Sequence, residues 1–419
     1  MRKLFIILLI TFINHRAKSQ IASIFSDEFS DSSKTHFGIT GDYDFNSNAL
    51  TNSLLAKFYL GGYIDTDLKN SVLNRLKNEN RLGGNIDYGA YASVKMKSFL
   101  GSKFISLFFS ARDRTHLDAQ FSKDLYTVGF YGNSQYAGKT ADFNNFNLNL
   151  IHYQQLQIGI FSTKLDSAAH WGIGISFLKG QQYLSVAAKK AELFTSSDGQ
   201  YIDFNTQLSA AQSDPAHTGI GALNGYGSSL DIYFEAPFQT RFGNSKFRVS
   251  VSDIGFIRFN KQTMTLQQDS LFHFTGIKVN SILDIQNSAL GSTSKDSVIN
   301  AIAPYKKQAV SVTLPAVLNL SLETQFNKHF HLIEGVRYVY SGNYTLLAYL
   351  KGNFYLNPKF MLSASFGYGG YGGFNYGLGL SARLGKGMAV YAGCSNIEGY
   401  IAPKKTSGQG AFVTLVKNF

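Results

Sequence analysis

One pair of histidines has the residue type and spacing that a metal site could use. His329 and His331 are two residues apart, so on a strand they would share one face. A zinc site needs three or four protein ligands, and we expect no Cys or carboxylate partner for this pair. An exposed turn is therefore the preferred interpretation, with a metal site as the lesser alternative.

A second group concentrates charges of both signs in a short segment: Arg112, Asp113, Arg114 and Asp118. Inside a barrel such a group could bind an anion or form a constriction. Mixed charges more often form a network of ion pairs that neutralises itself. Both interpretations stay open at the level of sequence.

Motifs for catalysis or cofactor binding are missing or incomplete. There is no G-x-S-x-G sequence to carry an activated serine. Residues 367–377 contain the spacing G-x-G-x-x-G, but a dinucleotide site needs a helix after this loop, and an alternating strand pattern follows instead. We expect no catalytic, cofactor-binding or metal site and no enzymatic activity, and an outer-membrane hydrolase is the minor alternative.

The elements that would position these residues are strands, because apolar and polar residues alternate strictly over about ten residues in segment after segment. Successive strand side chains point to opposite faces. Between Asn85 and Lys97, for example, Ile86 and Val94 would share one face and Asp87 and Lys95 the other. The 35 Phe and 24 Tyr residues support the same conclusion, since aromatic residues are enriched in strands.

Charged residues fall on the polar faces of these segments, and we expect the apolar faces to lack charges. This division is typical of a transmembrane barrel, whose apolar side faces lipid and whose polar side faces the lumen. We therefore predict the following lumen-lining residues: Asp87, Lys95, Lys97, Arg112, Arg114, Asp231, Glu235, Lys246, Arg248 and Arg383.

The first 19 residues resemble a secretory signal peptide. Arg2 and Lys3 precede an apolar stretch, and Ala17 and Ser19 are small residues of the kind that precede a cleavage site. The rest of the chain, 20–419, contains no run of 18 apolar residues, which excludes helical spans. Cys394 is the only cysteine, so no internal disulfide can form. A soluble secreted β-protein and an outer-membrane β-barrel remain, and the strand lengths favour the barrel.

The length of the chain sets the size of this barrel. Bacterial barrels have an even number of strands, and about 400 residues suggest 14, with 16 as the upper expectation. The final residue, Phe419, is the kind that outer-membrane barrels present as a signal for assembly. The fold class predicted is thus all-β, a single antiparallel barrel domain of about 14 strands.

Two segments do not show the strand pattern. In 65–81, Leu68, Val72 and Leu76 would lie on one helical face after the capping residue Asp65, which predicts a helical insertion that stops at Gly83–Gly84. Residues 280–307 form a polar stretch, predicted to be a long loop or a periplasmic insertion. The formal net charge of +12 is spread along the chain, which argues against a nucleic-acid partner.

Several strings in these alternating runs resemble those of a family of outer-membrane barrels from Bacteroidota. They are 85–90 (NIDYGA), 110–114 (SARDR), 131–133 (YGN) and 250–257 (SVSDIGFI). The family is itself similar to FadL-like barrels, the long-chain fatty-acid transporters. The resemblance implies a barrel of 14 strands in the outer membrane. It also implies a transport role or, as in some relatives, a role in type IX secretion.

The sequence therefore predicts a non-enzymatic barrel in the outer membrane of a Gram-negative bacterium, acting as a conduit for hydrophobic or small polar solutes. The alternative is an accessory component of a secretion or surface-display complex with a plugged lumen. The partners expected are outer-membrane lipid, the barrel assembly machinery and, for the alternative, secretion-complex proteins. No cofactor is expected.

Overall fold

The computed structural model describes residues 35–96, 104–162, 169–217, 219–275, 305–340 and 342–419. The predicted signal peptide (1–19), the predicted lumen residue Lys97 and residues 280–304 of the predicted insertion lie outside the described residues.

Strands dominate the described chain. In chain order they are β1 (His36–Ser47), β2 (Glu79–Lys95), β3 (Ile105–Ser122), β4 (Lys139–Asp142), β5 (Phe146–Ser162), β6 (His170–Thr195), β7 (Ile202–Gln212), β8 (Gly225–Thr240), β9 (Gly243–Phe259), β10 (Met264–Phe274), β11 (Lys306–Lys307), β12 (Val310–Thr313), β13 (Val317–Asn327), β14 (Phe330–Val339), β15 (Thr345–Asn357), β16 (Phe360–Gly370), β17 (Phe374–Gly385), β18 (Met388–Cys394) and β19 (Gly408–Asn418). The helices are α1 (Asn52–Leu60), α2 (Thr66–Leu73), α3 (Lys123–Tyr131) and α4 (Glu398–Ile401), with a 3-10 turn at Ser134–Tyr136.

The strands close into an antiparallel barrel of 14, as predicted. The wall runs β1, β2, β3, β5, β6, β8, β9, then β12 and β13 as two parts of one strand, then β14 to β19 and back to β1. The closing pair, β1 with β19, is continuous from His36 opposite Asn418 to Asn46 opposite Gly408. We call the end with His36 and Asn418 the terminal rim.

The two faces of the wall have opposite characters, because neighbouring side chains alternate between them. Ile175 is 61% exposed, whereas the next residue, Ser176, is 1% exposed. The exposed face carries large apolar residues on strand after strand, such as Phe109 on β3, Ile232 on β8 and Leu362 on β16. This apolar outer face and polar inner face match the division expected of a barrel in a membrane.

All four helices of the described ranges lie at the end opposite the terminal rim, which we call the helical rim. Leu54 of α1, Val72 of α2 and Tyr126 of α3 pack into one buried cluster there. Helix α2 starts after Asp65, whose side chain accepts a hydrogen bond from the Leu68 N–H at 2.8 Å. The helix is shorter than the predicted segment, because strand β2 already begins at Glu79 to pair with β3. No helix in the described ranges is long and apolar enough to cross a membrane.

One part of the wall extends past the helical rim. The upper half of β6 leaves β8 at Gly180 and pairs with β4 and β7, and β7 continues to β10 and β11. We call this group of strands the extension sheet. Its inner face continues the inner face of the barrel, because directly paired residues share a face. Gln120 of β3 pairs with Asn147 of β5, and Asn147 pairs with Ala187 of β6 beyond a register shift between His152 and Tyr153.

Candidate functional site

The inner face of the barrel gathers most of the predicted charged residues. Arg112 and Arg114 of β3 both bind Asp87 of β2, their neighbour in the wall. The Arg112 and Arg114 Nε atoms lie 2.9 Å from Asp87 Oδ1 and Oδ2, respectively. A second nitrogen of Arg112 also contacts this carboxylate, so the Arg112 pair is bidentate. Such fork-shaped pairs are among the stronger hydrogen-bonded contacts in proteins.

Arg114 also reaches a carboxylate on a distant strand. One of its terminal nitrogens forms an ion pair with Asp253 of β9. Strands β3 and β9 are separated by β5, β6 and β8, so the two residues are about 19 Å apart along the wall at the usual strand spacing. The contact therefore passes through the barrel interior, which identifies this face as the lumen.

Asp253 reaches the lumen because of a β-bulge. The register between β8 and β9 shifts between Leu230 and Ile232, and Asp253 has a φ of 62°, in the left-handed region. Non-glycine residues rarely adopt this conformation. The Asp231 carboxylate accepts a hydrogen bond from the Asp253 N–H at 2.8 Å and so holds the bulge in place.

Sequence reasoning missed Asp253. Alternation continued from Val249 and Val251 would place it on the outer, apolar face. A lone carboxylate in the apolar phase of a strand is the signal that could have revealed the bulge, because an extra residue moves every later side chain to the other face.

A glutamine completes the connection across the lumen. Gln155 of β5 accepts a hydrogen bond from Arg114 at 3.1 Å and donates one to Ser176 of β6 at 2.9 Å. We call Asp87, Arg112, Arg114, Gln155 and Asp253 the crossing network. Of the predicted residues, Asp231 lies next to this network, where it also accepts a hydrogen bond from Gln157 at 2.8 Å.

A second charged group lies nearer the terminal rim and connects neighbouring strands. Arg248 of β9 forms ion pairs with Glu235 of β8 at 2.5 Å and with Glu323 of β13 at 2.7 Å. Lys246 lies 3.4 Å from Glu235, and His331 lies 2.8 Å from Glu323. We call these five residues the wall network.

The expectation of an exposed turn is wrong for His331, which lies within β14 and has a carboxylate partner because β14 pairs with β13. His329 is exposed, and its ring contacts the carbonyl of Tyr355 at 3.0 Å, so the two histidines do not converge. Within the described ranges, no group of three or more His, Cys, Asp or Glu residues is placed to hold a metal ion.

The predicted cluster at residues 112–118 is divided by the alternation of β3. Arg112 and Arg114 enter the crossing network, while Asp113 takes the outer face, where His152 Nε2 lies 2.7 Å from its carboxylate. Asp118 is inside the barrel near the helical rim. It accepts hydrogen bonds from the Asn343 N–H at 2.8 Å and from the Asn343 side chain at 2.7 Å.

The Asp118–Asn343 contact crosses the lumen below the helical rim. Asn343 precedes β15, seven strand positions from β3 in this 14-stranded wall, so the contact joins opposite sides of the barrel. Between this contact and the crossing network lies His116, whose Nδ1 is 2.7 Å from Asn85 Oδ1. A cavity of about 160 Å³ remains in the lumen, lined in part by Asp42, Arg112 and Arg114.

The remaining predicted residues lie at strand ends. Lys95 and Arg383 are exposed at the ends of β2 and β17 and belong to neither network. Phe419 is 70% exposed, and its N–H donates to the Thr35 carbonyl at 2.9 Å.

The expectation that the outer faces lack charges is wrong at several positions of the described strands. Lys179 of β6 and Arg258 of β9 are two of them, since each shares its face with exposed apolar residues of the same strand. Asp113 is another, and its carboxylate contacts the His152 ring. A further position is Glu334 of β14, which is exposed between Leu322 and Leu350 of the adjacent strands and has no side-chain partner among the described residues.

The sequence matches the family of unknown function DUF5723 over residues 29–394. The chain belongs to this family. No curated protein sequence matches it at a significant level.

Among solved structures, this DUF5723 protein is similar to TodX, TbuX and a FadL homologue. A deletion mutant of TodX, a monoaromatic hydrocarbon channel, has 10% identity, 96% and 98% coverage of the two chains and a TM-score of 0.44. The toluene transporter TbuX of Ralstonia pickettii has 9% identity, 92% and 90% coverage and a TM-score of 0.39. A FadL homologue of Pseudomonas aeruginosa has 11% identity, 91% and 88% coverage and a TM-score of 0.39. At this distance the similarity carries no argument about a solute.

Proposed function

We propose that this protein is an outer-membrane β-barrel that conducts small polar solutes, and that the crossing network is the gate of its lumen. The observation that carries the proposal is the ion pair between Arg114 and Asp253, which spans the interior of a closed barrel beside an internal cavity. Solutes would have to displace this contact, or wait for it to open, in order to pass.

The outer face supports a location in a membrane. On β16, Phe360, Leu362, Phe366 and Tyr368 are exposed on one face, with Ala364 between them. Nine residues of tilted strand, from 360 to 368, match the height of roughly 25 Å typical of the apolar band of an outer-membrane barrel. Large apolar side chains exposed all round a barrel would make a water-soluble protein aggregate.

The lining of the lumen supports a polar rather than a hydrophobic solute. The path beside the crossing network presents ionic and amide groups, including Arg112, Gln155 and Gln157. An apolar solute would strip water from these groups without replacing its hydrogen bonds, which is costly. A polar solute can replace them one by one.

The gate can be tested with two matched double variants that leave net charge unchanged. Arg114→Gln/Asp253→Asn removes the contact across the lumen, and Arg248→Gln/Glu323→Gln removes the equivalent pair from the wall network. Hydrogen bonds between charged groups contribute about 1.5 to 3 kcal/mol, so losing the gate contact should raise the open fraction roughly tenfold or more. Single-channel recordings in planar bilayers would measure this change.

We expect the first variant to conduct more than the unmodified chain and the second to resemble it. Heat-modifiability on a gel would show that each barrel is folded. Folded barrels with equal conductance in all three proteins would contradict the gate. Three folded but non-conducting proteins would contradict the conduit itself and favour the accessory role in a secretion complex.

A further inference from the structure

A second cavity, of about 690 Å³, opens at the helical rim above the contact between Asp118 and Asn343. Its lining is rich in side-chain amides and hydroxyls rather than in charges or apolar groups. Among the lining residues are Gln120, Asn147, Gln207, Ser209, Gln267 and Asn343. We call this cavity the vestibule.

The strand register sets the vestibule side chains in a row. Gln120 of β3 pairs with Asn147 of β5, which pairs with Ala187 of β6. Ala187 pairs with Ser209 of β7, and Ser209 pairs with Gln267 of β10. Directly paired residues point to the same face, so these five residues form one row about 19 Å long at the usual strand spacing. Ala187 in the middle leaves the centre of the row flat.

Much of the hydrogen-bonding capacity of this row is unused. The side chains of Gln120 and Gln267 have no partner among the described residues. Each such amide offers two N–H donors and one carbonyl acceptor. Gln207 uses one donor on Asp269 at 3.1 Å, which partly satisfies that carboxylate.

The charges of the vestibule exclude some classes of ligand. Lys189 is the cation among the lining residues, against the carboxylates of Glu79 and Asp269. One cation and two carboxylates do not form a site for a phosphate or another anion, which would need several converging N–H or cationic donors. Apolar ligands would leave the amides unsatisfied.

We propose that the vestibule binds a neutral, hydroxyl-rich chain, an oligosaccharide, along the row from Gln120 to Gln267. A hydroxyl group both donates and accepts a hydrogen bond, as an amide does, so successive hydroxyls can pair with successive side chains of the row. The proposal goes beyond the proposed conduit, because binding at the vestibule requires no passage through the lumen.

Binding can be measured on the full-length protein in detergent, without any flux. The probes are an array of neutral glycans that includes maltohexaose, cellohexaose and mannohexaose, together with sialylated and phosphorylated glycans for comparison. Titration calorimetry would then follow with the neutral hexasaccharide that binds best. We expect a neutral glycan to bind and the acidic ones to bind more weakly.

The double variant Gln120→Ala/Gln267→Ala should weaken binding about tenfold, since each neutral hydrogen bond accounts for a factor of about two to ten. Gln325→Ala, which alters an exposed glutamine of β13 at the opposite rim, is the matched control and should bind as the unmodified chain does. Circular dichroism and heat-modifiability would confirm that each barrel is folded.

Three results would overturn the proposal: no neutral glycan bound on the array, a preference for acidic glycans, or unchanged affinity in the double variant. None of these results bears on conductance. A failure of the vestibule proposal is therefore distinguishable from a failure of the gate.

Discussion

Two arginines of the lumen each lie between two carboxylates, yet they occupy the barrel in different ways. Arg114 joins Asp87 of the adjacent strand to Asp253 on the far side of three further strands. Arg248 joins Glu235 and Glu323, which belong to the strands on either side of its own. The same chemistry therefore obstructs the lumen in one region and only lines it in the other.

The difference shows that neither the charges of the two residues nor their separation in the sequence decides whether an ion pair crosses the lumen. The position of the second carboxylate around the wall decides it. Asp253 can be reached because a bulge turns it inward, whereas Glu323 lies inward by ordinary alternation of β13. The residue inserted at the bulge of β9 therefore lets the Arg114 ion pair cross the lumen, whereas the Arg248 ion pairs lie along the wall.

The largest loss of stability should follow from removing one carboxylate of either network, and we expect it to be equal in the two networks. Asp253→Ala and Glu323→Ala each remove one carboxylate from a partly buried arginine and should each lower the free energy of unfolding by about 2 to 3 kcal/mol. Urea unfolding in detergent micelles, followed by the fluorescence of Trp171, would measure this. A much larger loss for one variant would mean that the two regions differ in energy as well as in geometry.

Replacing arginine by lysine should change the conductance when it is made in the crossing network but not when it is made in the wall network. Arg114→Lys keeps the charge, but an ammonium group cannot present a fork to two carboxylates at once. We expect its contact with Asp253 to weaken by about 1.5 kcal/mol and its single-channel open fraction to rise roughly tenfold. Arg248→Lys should leave the conductance unchanged, and a rise in both variants would show that the wall network also gates.

The bulge can be tested by comparing two substitutions at one position. Asp253→Gly and Asp253→Ala lose the same ion pair, but glycine adopts a φ of 62° without strain. We expect Asp253→Gly to be more stable than Asp253→Ala by about 1 kcal/mol. Equal stability would indicate that the chain relaxes out of the left-handed conformation once the carboxylate is gone.

The smallest effect is expected at a carboxylate that belongs to neither network. Glu334 faces outward between leucines and has no partner among the described residues. Glu334→Gln should leave conductance unchanged and should stabilise the barrel by up to about 1 kcal/mol, since a lipid-facing charge is unfavourable. A loss of stability would show that Glu334 has a partner in the membrane.

Regular alternation made much of this fold predictable from sequence. The inner positions of Asp87, Arg112, Arg114, Glu235 and Arg248 follow from period-two alternation, because one face of each strand must be apolar. The length of the chain limits the barrel to about 14 to 16 strands, and the structure has 14. Neither inference requires knowledge of which strands are neighbours.

The gate and the vestibule could not be predicted in the same way. Asp253 depends on a bulge, and a local insertion leaves only one residue out of phase in the sequence. The contact between Asp118 and Asn343 joins residues 225 positions apart. Such pairings depend on how the strands are ordered around the barrel, which alternation within one strand does not encode.

The pairing of β1 with β19 also has a consequence for how the barrel is made. The two strands that must meet are the first and last of the described chain, so the wall cannot close until all the others are in place. Until then the unfinished sheet keeps two open edges, each a row of unpaired N–H and C=O groups that could recruit another chain. Partly formed barrels of this kind would aggregate in water, so we expect the final strand to be inserted in one concerted step while the growing sheet is shielded.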